Sequence, residues 1–249
     1  MTTLATDAIV LHVADYLESS RILRLVTRDA GVQSVLARGA RSSRKRFGAA
    51  VDLFAEGQAQ LQLKPGRDLH TLVSFDVTRA HAGLALDLRR FAAASAVAEV
   101  VLRLVHEEAA PAVYECLSGA FDRLAAAEGG MAASTALGAL WQVVAEVGFR
   151  PTLDQCAECH VALDPGQPVR FHHRAGGVLC DRCARHYPGG RLLPPDARDT
   201  LRHWLDNQVP PLADNAARAH QRLLREFLAQ YLPDNRPLRA FQSWEGDFG

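Results

Sequence analysis

The chain has 249 residues, and 48% of them are hydrophobic, which excludes a disordered protein and allows two or three domains with a sizeable core. Its 28 basic and 28 acidic side chains cancel, so any attraction to DNA or to a membrane surface has to be local.

The N-terminal stretch MTTLATDAIVLHVADY lacks the basic start, the apolar core and the small-residue cleavage site of a secretory signal. The richest apolar run, FAAASAVAEVVLRLV, is interrupted by Glu99 and Arg103, so no membrane-spanning helix is expected. We therefore expect a cytoplasmic protein that meets nucleoid DNA. Disulfides are not expected in that reducing compartment.

The first third of the chain has the pattern of β-strands. Residues 7–16 alternate loosely, and 20–40 contain two apolar runs around a turn at Gly31, which can adopt a positive φ. Residues 51–64 alternate glutamine with leucine in their second half, and 69–78 supply a fifth strand. Five short strands predict a small barrel. An OB-fold is favoured, with an SH3-like barrel as the alternative.

A dense run of basic residues, LARGARSSRKRFGAA (36–50), follows the third predicted strand. No acid occurs between Asp29 and Asp52, and the glycines and serines favour a flexible loop. Such a loop on a small barrel is typical of domains that follow a nucleic-acid backbone, and Phe47 can either stack on a base or belong to the core. A solvated loop without a ligand is the alternative. The predicted DNA contacts are Arg38, Arg41, Arg44, Lys45 and Arg46.

From about residue 84 the apolar spacing changes to that of helices. Five helices are predicted, over 84–107, 111–130, 132–148, 194–208 and 213–232. Gly148 is expected to end the third helix, and the tail ending in SWEGDFG has no strong periodicity. Helices on both sides of the intervening cysteine segment are expected to pack as one bundle.

Four of the five cysteines form two Cys-x-x-Cys pairs. They are Cys156, Cys159, Cys180 and Cys183. Each pair fits one tight turn that presents two sulfurs to one ion, and the turn cluster DPGQP and the strand-like VRFHH predict a hairpin that brings the pairs together. The spacing predicts a zinc ribbon with one structural Zn²⁺ ion and no open coordination position. Four unrelated buried cysteines or a redox pair are the alternatives.

Charged and imidazole side chains surround the two pairs. A histidine can replace one cysteine ligand, and the candidates are His160, His172, His173 and His186. Arginines nearby are expected to offset the negative charge of four thiolates on one dication, with phosphate binding as the alternative. They are Arg170, Arg174, Arg182 and Arg185. Cys116 lies apart on an apolar helix face and is expected to be a buried thiol.

The sequence contains no Walker A loop, no Gly-x-Gly-x-x-Gly and no His-Glu-x-x-His, and its carboxylates are scattered. A hydrolase at the zinc would need an open coordination position, which four cysteines do not leave. We therefore expect that the protein is not an enzyme and that it uses no nucleotide.

The order of these features resembles RecO, a family of bacterial recombination mediators and DNA-annealing proteins. The likeness covers the first strands, with YLESS, the turn from Thr27 to Gly31, and Gly39-Ala40-Arg41. The lead-in GFRPTLDQC to the first cysteine pair matches a characteristic family stretch. His160 follows the second cysteine, where the family often has glycine.

The resemblance implies an α+β multidomain protein. Residues 1–80 would be an OB-fold DNA-binding domain, 81–150 and 191–249 two parts of a helical domain, the second with the tail, and 151–190 the four-cysteine zinc ribbon.

The resemblance also implies binding to single- and double-stranded DNA and annealing of complementary strands. The implied partners are RecR, the single-stranded DNA-binding protein and, indirectly, RecA, without a membrane or a nucleotide. Helical arginines become further candidate DNA contacts, namely Arg198, Arg202, Arg218, Arg222 and Arg225. The alternative function is a zinc-stabilised protein-interaction adaptor without intrinsic DNA binding.

Overall fold

Five strands form the N-terminal part of the computed structural model, which describes residues 2–40, 47, 51–128, 130–232, 234 and 236–246. The strands are β1 (Thr2–Tyr16), β2 (Ser20–Thr27), β3 (Gly31–Ala37), β4 (Glu56–Leu63) and β5 (Leu69–Arg79). β1 pairs antiparallel with β2 and β4, β2 with β3, and β4 with β5. A parallel ladder of only three residue pairs, from Ser34–Leu69 to Leu36–Thr71, joins β3 to β5 and completes the ring. This strand order is that of an OB-fold, as predicted.

Alternation along the strands divides the barrel residues between two cores. Leu23, Leu25 and Val35 face the barrel interior, whereas Val26 and Val32 face the helices. The barrel interior also holds the side chain of Phe47, which is 1% exposed. The stacking role considered for Phe47 is therefore wrong, because its ring fills the barrel.

The turn between β2 and β3 depends on glycine, as predicted. Gly31 has a φ of 62°, and a Cβ at this position would overlap the backbone carbonyls of His106 and Glu108. The amide of Val32 donates to the same His106 carbonyl at 3.0 Å. The hairpin thus packs directly against the loop that follows the first long helix.

Seven α-helices are described after the barrel. They are α1 (Leu88–Leu104), α2 (Pro111–Ala126), α3 (Met131–Val144), α4 (Asp181–Ala184), α5 (Pro195–Leu205), α6 (Asp214–Tyr231) and α7 (Arg239–Gly246). Gly148, at φ 93°, ends the helical turn that follows α3, in agreement with the prediction. Asp87 caps α1 by accepting a hydrogen bond from the amide of Arg90 at 3.0 Å.

The tail contains a helix although its sequence has no strong periodicity. Residues 239–246 form α7, whose Phe241 and Trp244 are buried against α1. Glu99 on α1 accepts hydrogen bonds from the amides of Arg239 and Phe241 at 2.8 and 3.0 Å. A side chain from a distant helix therefore satisfies the N-terminal amides of α7, which no local pattern reveals.

One described segment, Met131–Phe149, is apolar and long enough to cross a membrane by length and composition. Its 18-residue apolar window is 67% buried inside the protein. Trp141 on this segment packs against Phe171 and Phe227, with ring centroids 6.4 and 5.2 Å apart. The segment is therefore the central helix of the bundle core.

The cysteine segment forms a small three-stranded sheet with the order β7-β6-β8. Its strands are β6 (Val169–His172), β7 (Gly177–Leu179) and β8 (Arg191–Leu193). Phe171 of β6 packs against both Trp141 of α3 and Phe227 of α6. The side of this sheet that bears Phe171 thus belongs to the bundle core, and the cysteine turns lie beyond it.

Candidate metal centre and nucleic-acid interface

The two cysteine pairs come together. The sulfurs of Cys156, Cys159, Cys180 and Cys183 all lie within 4.8 Å of one another, and those of Cys159 and Cys180 are 3.8 Å apart. This set is called the cysteine cluster below. The first turn is closed by hydrogen bonds from His160 N to the Cys156 carbonyl and from Cys156 N to the Val161 carbonyl, at 2.9 and 2.8 Å. The second turn opens helix α4.

The electrostatics of the cysteine cluster favour a bound cation. Burial alone would raise the pKa of the Cys156 thiol, but hydrogen bonds from backbone amides lower it to about 6. The pKa of Cys183 is raised to about 12, because its burial and the neighbouring sulfurs oppose a further negative charge. Four adjoining thiols need a cation to ionise together, and four thiolates are suitable ligands for a soft or borderline metal ion.

No histidine joins the cysteine cluster within the part of the chain that the structure describes. The Nε2 atom of His173 lies 2.9 Å from a carboxylate oxygen of Glu226, and that of His172 is 3.4 Å from the Pro188 carbonyl. His160 has a φ of 58°, in the left-handed region that glycine adopts most easily. The geometry therefore favours four sulfur ligands over a mixed set.

One arginine beside the cysteine cluster has the charge-balancing position that we expected. The Arg182 guanidinium lies near the sulfurs of Cys159 and Cys183, and their attraction for its positive charge raises the pKa of Arg182. A donor of this kind offsets the excess negative charge of a four-thiolate site.

The helical arginines do not form one exposed basic surface. Arg198 is completely buried and donates to three backbone carbonyls, so the prediction that it contacts DNA is wrong. Arg202 pairs with Asp154 at 2.7 Å and also with Asp199, and Arg225 pairs with Glu245 at 3.2 Å. Arg218 and Arg222 stay predictions. The spacing of these arginines along the sequence does not reveal where their acidic partners lie in the fold.

Of the predicted loop contacts, Arg38 lies directly after β3 and is exposed. The other four, Arg41, Arg44, Lys45 and Arg46, lie outside the described residues. Their contact with DNA stays a prediction.

The partly exposed outer surface of three barrel strands is the second candidate site. Cross-strand pairing places His12 beside Arg24 and Arg24 beside Ser34, and the next row contains Ala14, Ile22 and Leu36. Paired residues on neighbouring strands point to the same side of a sheet. Tyr16 extends the surface along β1, opposite Ser20. We call this surface the outer strand face: His12, Ala14, Tyr16, Ile22, Arg24, Ser34 and Leu36, with Arg38 at its edge.

The hairpin between β1 and β2 extends the outer strand face into solvent. Tyr16 is 42% exposed, and Leu17 at the tip is 76% exposed with a φ of 53°. A leucine in the left-handed region is strained, which is more common at functional positions than elsewhere. Lys64 and Arg67 lie in the opposite loop, between β4 and β5, next to the Ser34–Leu69 pair.

The outer strand face carries a net positive charge. None of its residues is acidic, and within the described chain neither Arg24 nor Arg38 has an ion-pair partner. By contrast, Arg21 pairs with Asp15 and Asp52 at 3.3 and 3.1 Å. Tyr16 and Arg24 carry no signal in the sequence, because they are single residues at alternating strand positions that only the pairing register brings together.

Comparison with known proteins gives a consistent family. Models described as Recombination protein O N terminal and Recombination protein O C terminal match residues 1–81 and 85–240. A protein named DNA repair protein RecO from Anaeromyxobacter sp. (strain K) is 36% identical, covering 97% of this chain and 96% of its own length. Proteins of the same name from Anaeromyxobacter dehalogenans (strain 2CP-1) and Rubrobacter xylanophilus are 37% and 32% identical, each covering over nine-tenths of both chains.

Proposed function

The chain belongs to the RecO family of DNA repair proteins, and on this basis we propose that it is a recombinational repair mediator that binds and anneals DNA. In this proposal the protein binds single- and double-stranded DNA and, with RecR, helps to load RecA on strands coated by the single-stranded DNA-binding protein. It acts in the cytoplasm at the nucleoid, without catalytic turnover and without a nucleotide.

The observation that carries the proposal is the acid-free outer strand face. In OB-folds, oligonucleotides bind on strands 2 and 3 and on the loops that follow strands 1 and 4. Here those positions hold an exposed aromatic ring at Tyr16, an apolar row at Ile22 and Leu36, and cations at Arg24 and Arg38. Aromatic and apolar groups stack against bases, and guanidinium groups neutralise phosphates.

Annealing requires two polyanionic strands to approach each other with their repulsion screened. The basic loop starts at Arg38, at the edge of the outer strand face, so one strand on the face and one near the loop would lie close together. We therefore keep Arg41, Arg44, Lys45 and Arg46 as proposed DNA contacts.

For the cysteine cluster we propose one structural zinc ion. Zinc prefers tetrahedral sulfur ligands, and a site with four protein ligands has no position for water or substrate. The ion would hold the two cysteine turns together while the DNA contacts lie on the barrel. The division into a barrel domain, a two-part helical domain and a zinc ribbon is part of this proposal.

The test is fluorescence anisotropy with labelled single- and double-stranded oligonucleotides over a salt series. We expect binding without a nucleotide that weakens steeply with salt. The triple variant Arg41→Glu, Arg44→Glu and Arg46→Glu should bind both DNA forms at least about tenfold more weakly, with a smaller salt dependence. The single variant Arg38→Glu tests the outer strand face. Arg150→Glu, in the bundle, is its control, because it makes the same change of charge away from that face. Wild-type binding and annealing by the triple variant would contradict the loop assignment.

A protein-interaction adaptor is the second candidate, and one observation favours it. Leu86 and Leu88, at the start of α1, are 84% and 72% exposed, and Phe91 lies beside them. An exposed apolar patch of this kind is common at protein interfaces. An adaptor would form stable partner complexes but bind DNA negligibly near physiological salt, so the same salt series separates the two functions.

A further inference from the structure

A cavity of about 470 Å³ lies where the barrel meets the bundle. β1 and β2 form one wall, and α1 and α7 form the other. We call it the junction cavity. Its volume falls in the range of ordinary small-molecule sites. His12 and Arg24 line it and also belong to the outer strand face, so the cavity opens directly beside that face.

The floor of the junction cavity is apolar. Phe54 lies there with its ring packed edge-on against Phe91 and Phe121, at centroid distances of 5.7 and 5.1 Å. Leu11 and Ala98 complete the buried floor. Ser95 on α1 also lines the cavity, and its hydroxyl makes no side-chain hydrogen bond within the described residues. The apolar floor and the Ser95 hydroxyl together are suited to a flat ring with polar edges.

The rim of the junction cavity carries a net positive charge, since Arg24, Arg103 and Arg239 outnumber the carboxylates of Glu99 and Asp234. Arg24 is half-buried, donates to the Leu102 carbonyl at 3.1 Å, and has no carboxylate partner in the described chain. Arg239 is exposed and likewise has no ion pair among those residues. The one acid on the lining, Glu99, uses both carboxylate oxygens to accept the amides of α7. Arg103 is already paired with Asp234. The rim therefore favours an anion.

We propose that the junction cavity takes one unstacked nucleobase of single-stranded DNA, with Arg24 and Arg239 on the adjoining phosphates. This inference rests on the proposed function, because it extends the strand that lies on the outer strand face. An acidic peptide would also suit a positive rim over an apolar floor. We favour a nucleobase because Arg24 and His12 belong to both surfaces, so that a bound strand passes the cavity mouth.

The test compares two oligonucleotides of equal length and charge, one with bases and one with an abasic sugar-phosphate chain. Ser95→Phe fills the cavity, and Ser95→Ala removes the hydroxyl without filling it. We expect Ser95→Phe to weaken binding of the base-containing strand about tenfold and to leave the abasic strand within about twofold of wild type. Ser95→Ala should weaken the base-containing strand less than Ser95→Phe does, because it loses one hydroxyl but keeps the cavity open, and it should not affect the abasic strand.

Arg24→Gln provides a second variant that does not depend on filling the cavity. It should weaken binding of both strands by a similar factor and lower the slope of log affinity against log salt concentration by about one. Arg150→Gln, with the same loss of charge, should do neither. Circular dichroism of each variant checks that the fold is kept.

Each outcome has one meaning. If Ser95→Phe binds the base-containing strand like wild type while Arg38→Glu weakens it, the junction cavity is not a base site and the proposed function stands. If Ser95→Phe weakens binding of both strands equally, or if an acidic peptide occupies the cavity without changing DNA binding, the junction cavity is again not a base site. The proposed function stands in both cases. If wild-type protein binds neither strand, the proposed function itself fails.

Discussion

Arg198 is a buried guanidinium group that joins helix α5 to the segment carrying the first cysteine pair. Its Nε atom donates to the Leu153 carbonyl at 2.8 Å, and its two terminal nitrogens donate to the carbonyls of Asp164 and Leu163 at 2.7 and 3.3 Å. Burial lowers the pKa of Arg198, but these carbonyls solvate its charge in place of water. The residue therefore fixes a loop that has little regular structure of its own.

Arg198→Ala should destabilise the protein by roughly 3 kcal/mol, because three backbone carbonyls lose their donor and the buried guanidinium leaves a cavity. Equilibrium denaturation measures the change in the free energy of unfolding. Arg150→Ala is the matched control: its guanidinium is exposed, pairs with Asp206 at 3.4 Å, and should contribute less than about 0.5 kcal/mol. Equal losses in the two variants would show that the buried contacts add nothing.

His220 on α6 is a buried imidazole that contacts Trp204 edge-on at 4.8 Å. Burial lowers its pKa from 6.5 to about 4. The unfolded chain therefore binds more protons than the folded one between these values, and stability should fall by about 3 kcal/mol as the pH falls from 6.5 to 4. His220→Leu should remove this part of the pH dependence. Denaturation at several pH values measures it, with metal content followed in parallel because acid also protonates thiolates. An unchanged slope would contradict the assignment.

The three-stranded sheet and the cysteine turns are one element with two different sources of stability. The sheet places Phe171 in the bundle core, and Arg191 and His173 hold the Glu226 carboxylate of α6. The turns beyond have only a small cluster of buried residues around Cys156, Leu179 and Cys183. Such a cluster is too small to order the turns without a metal.

Removal of the metal by a chelator should therefore disorder the cysteine turns and leave the sheet folded. Hydrogen exchange should show loss of protection in residues 156–162 and 180–187, while β6 and the barrel strands keep theirs. Restored protection after addition of Zn²⁺, followed by metal analysis, would complete the test. Loss of protection throughout α3 and α6 would instead show that the ion stabilises the whole bundle.

Sequence patterns predicted the elements that depend on local chemistry. The strand alternation, the turn at Gly31 and the helix end at Gly148 each follow from neighbouring residues. α7 was missed because its first amides bond to Glu99, about 140 positions earlier in the chain. Arg198 was misjudged for the same reason, since its acceptors belong to residues 34 to 45 positions away. The outer strand face needed the pairing register, which alternation alone does not determine.

At the scale of the whole molecule, Glu56 links the barrel to the bundle. This buried carboxylate at the start of β4 accepts hydrogen bonds from Tyr114 at 2.7 Å and from Ser118 at 3.1 Å, both on α2. Arg79 at the end of β5 contacts it from the barrel side. Burial and the hydrogen bond to Glu56 raise the pKa of Tyr114, so the phenol stays a donor at all ordinary pH values. This buried contact therefore helps to fix the position of the barrel relative to the bundle.

Glu56→Ala should therefore cost roughly 2–3 kcal/mol, because buried donors lose their acceptor, and should separate unfolding of the barrel from that of the bundle. All three tryptophans lie in the bundle, so their fluorescence reports the bundle while far-ultraviolet circular dichroism reports both parts. Glu115→Ala is the matched control: Glu115 also joins α2 to the barrel, through Arg28 at 2.9 Å, but both side chains are exposed. Coincident transitions and equal losses in the two variants would show that Glu56 does not couple the two parts.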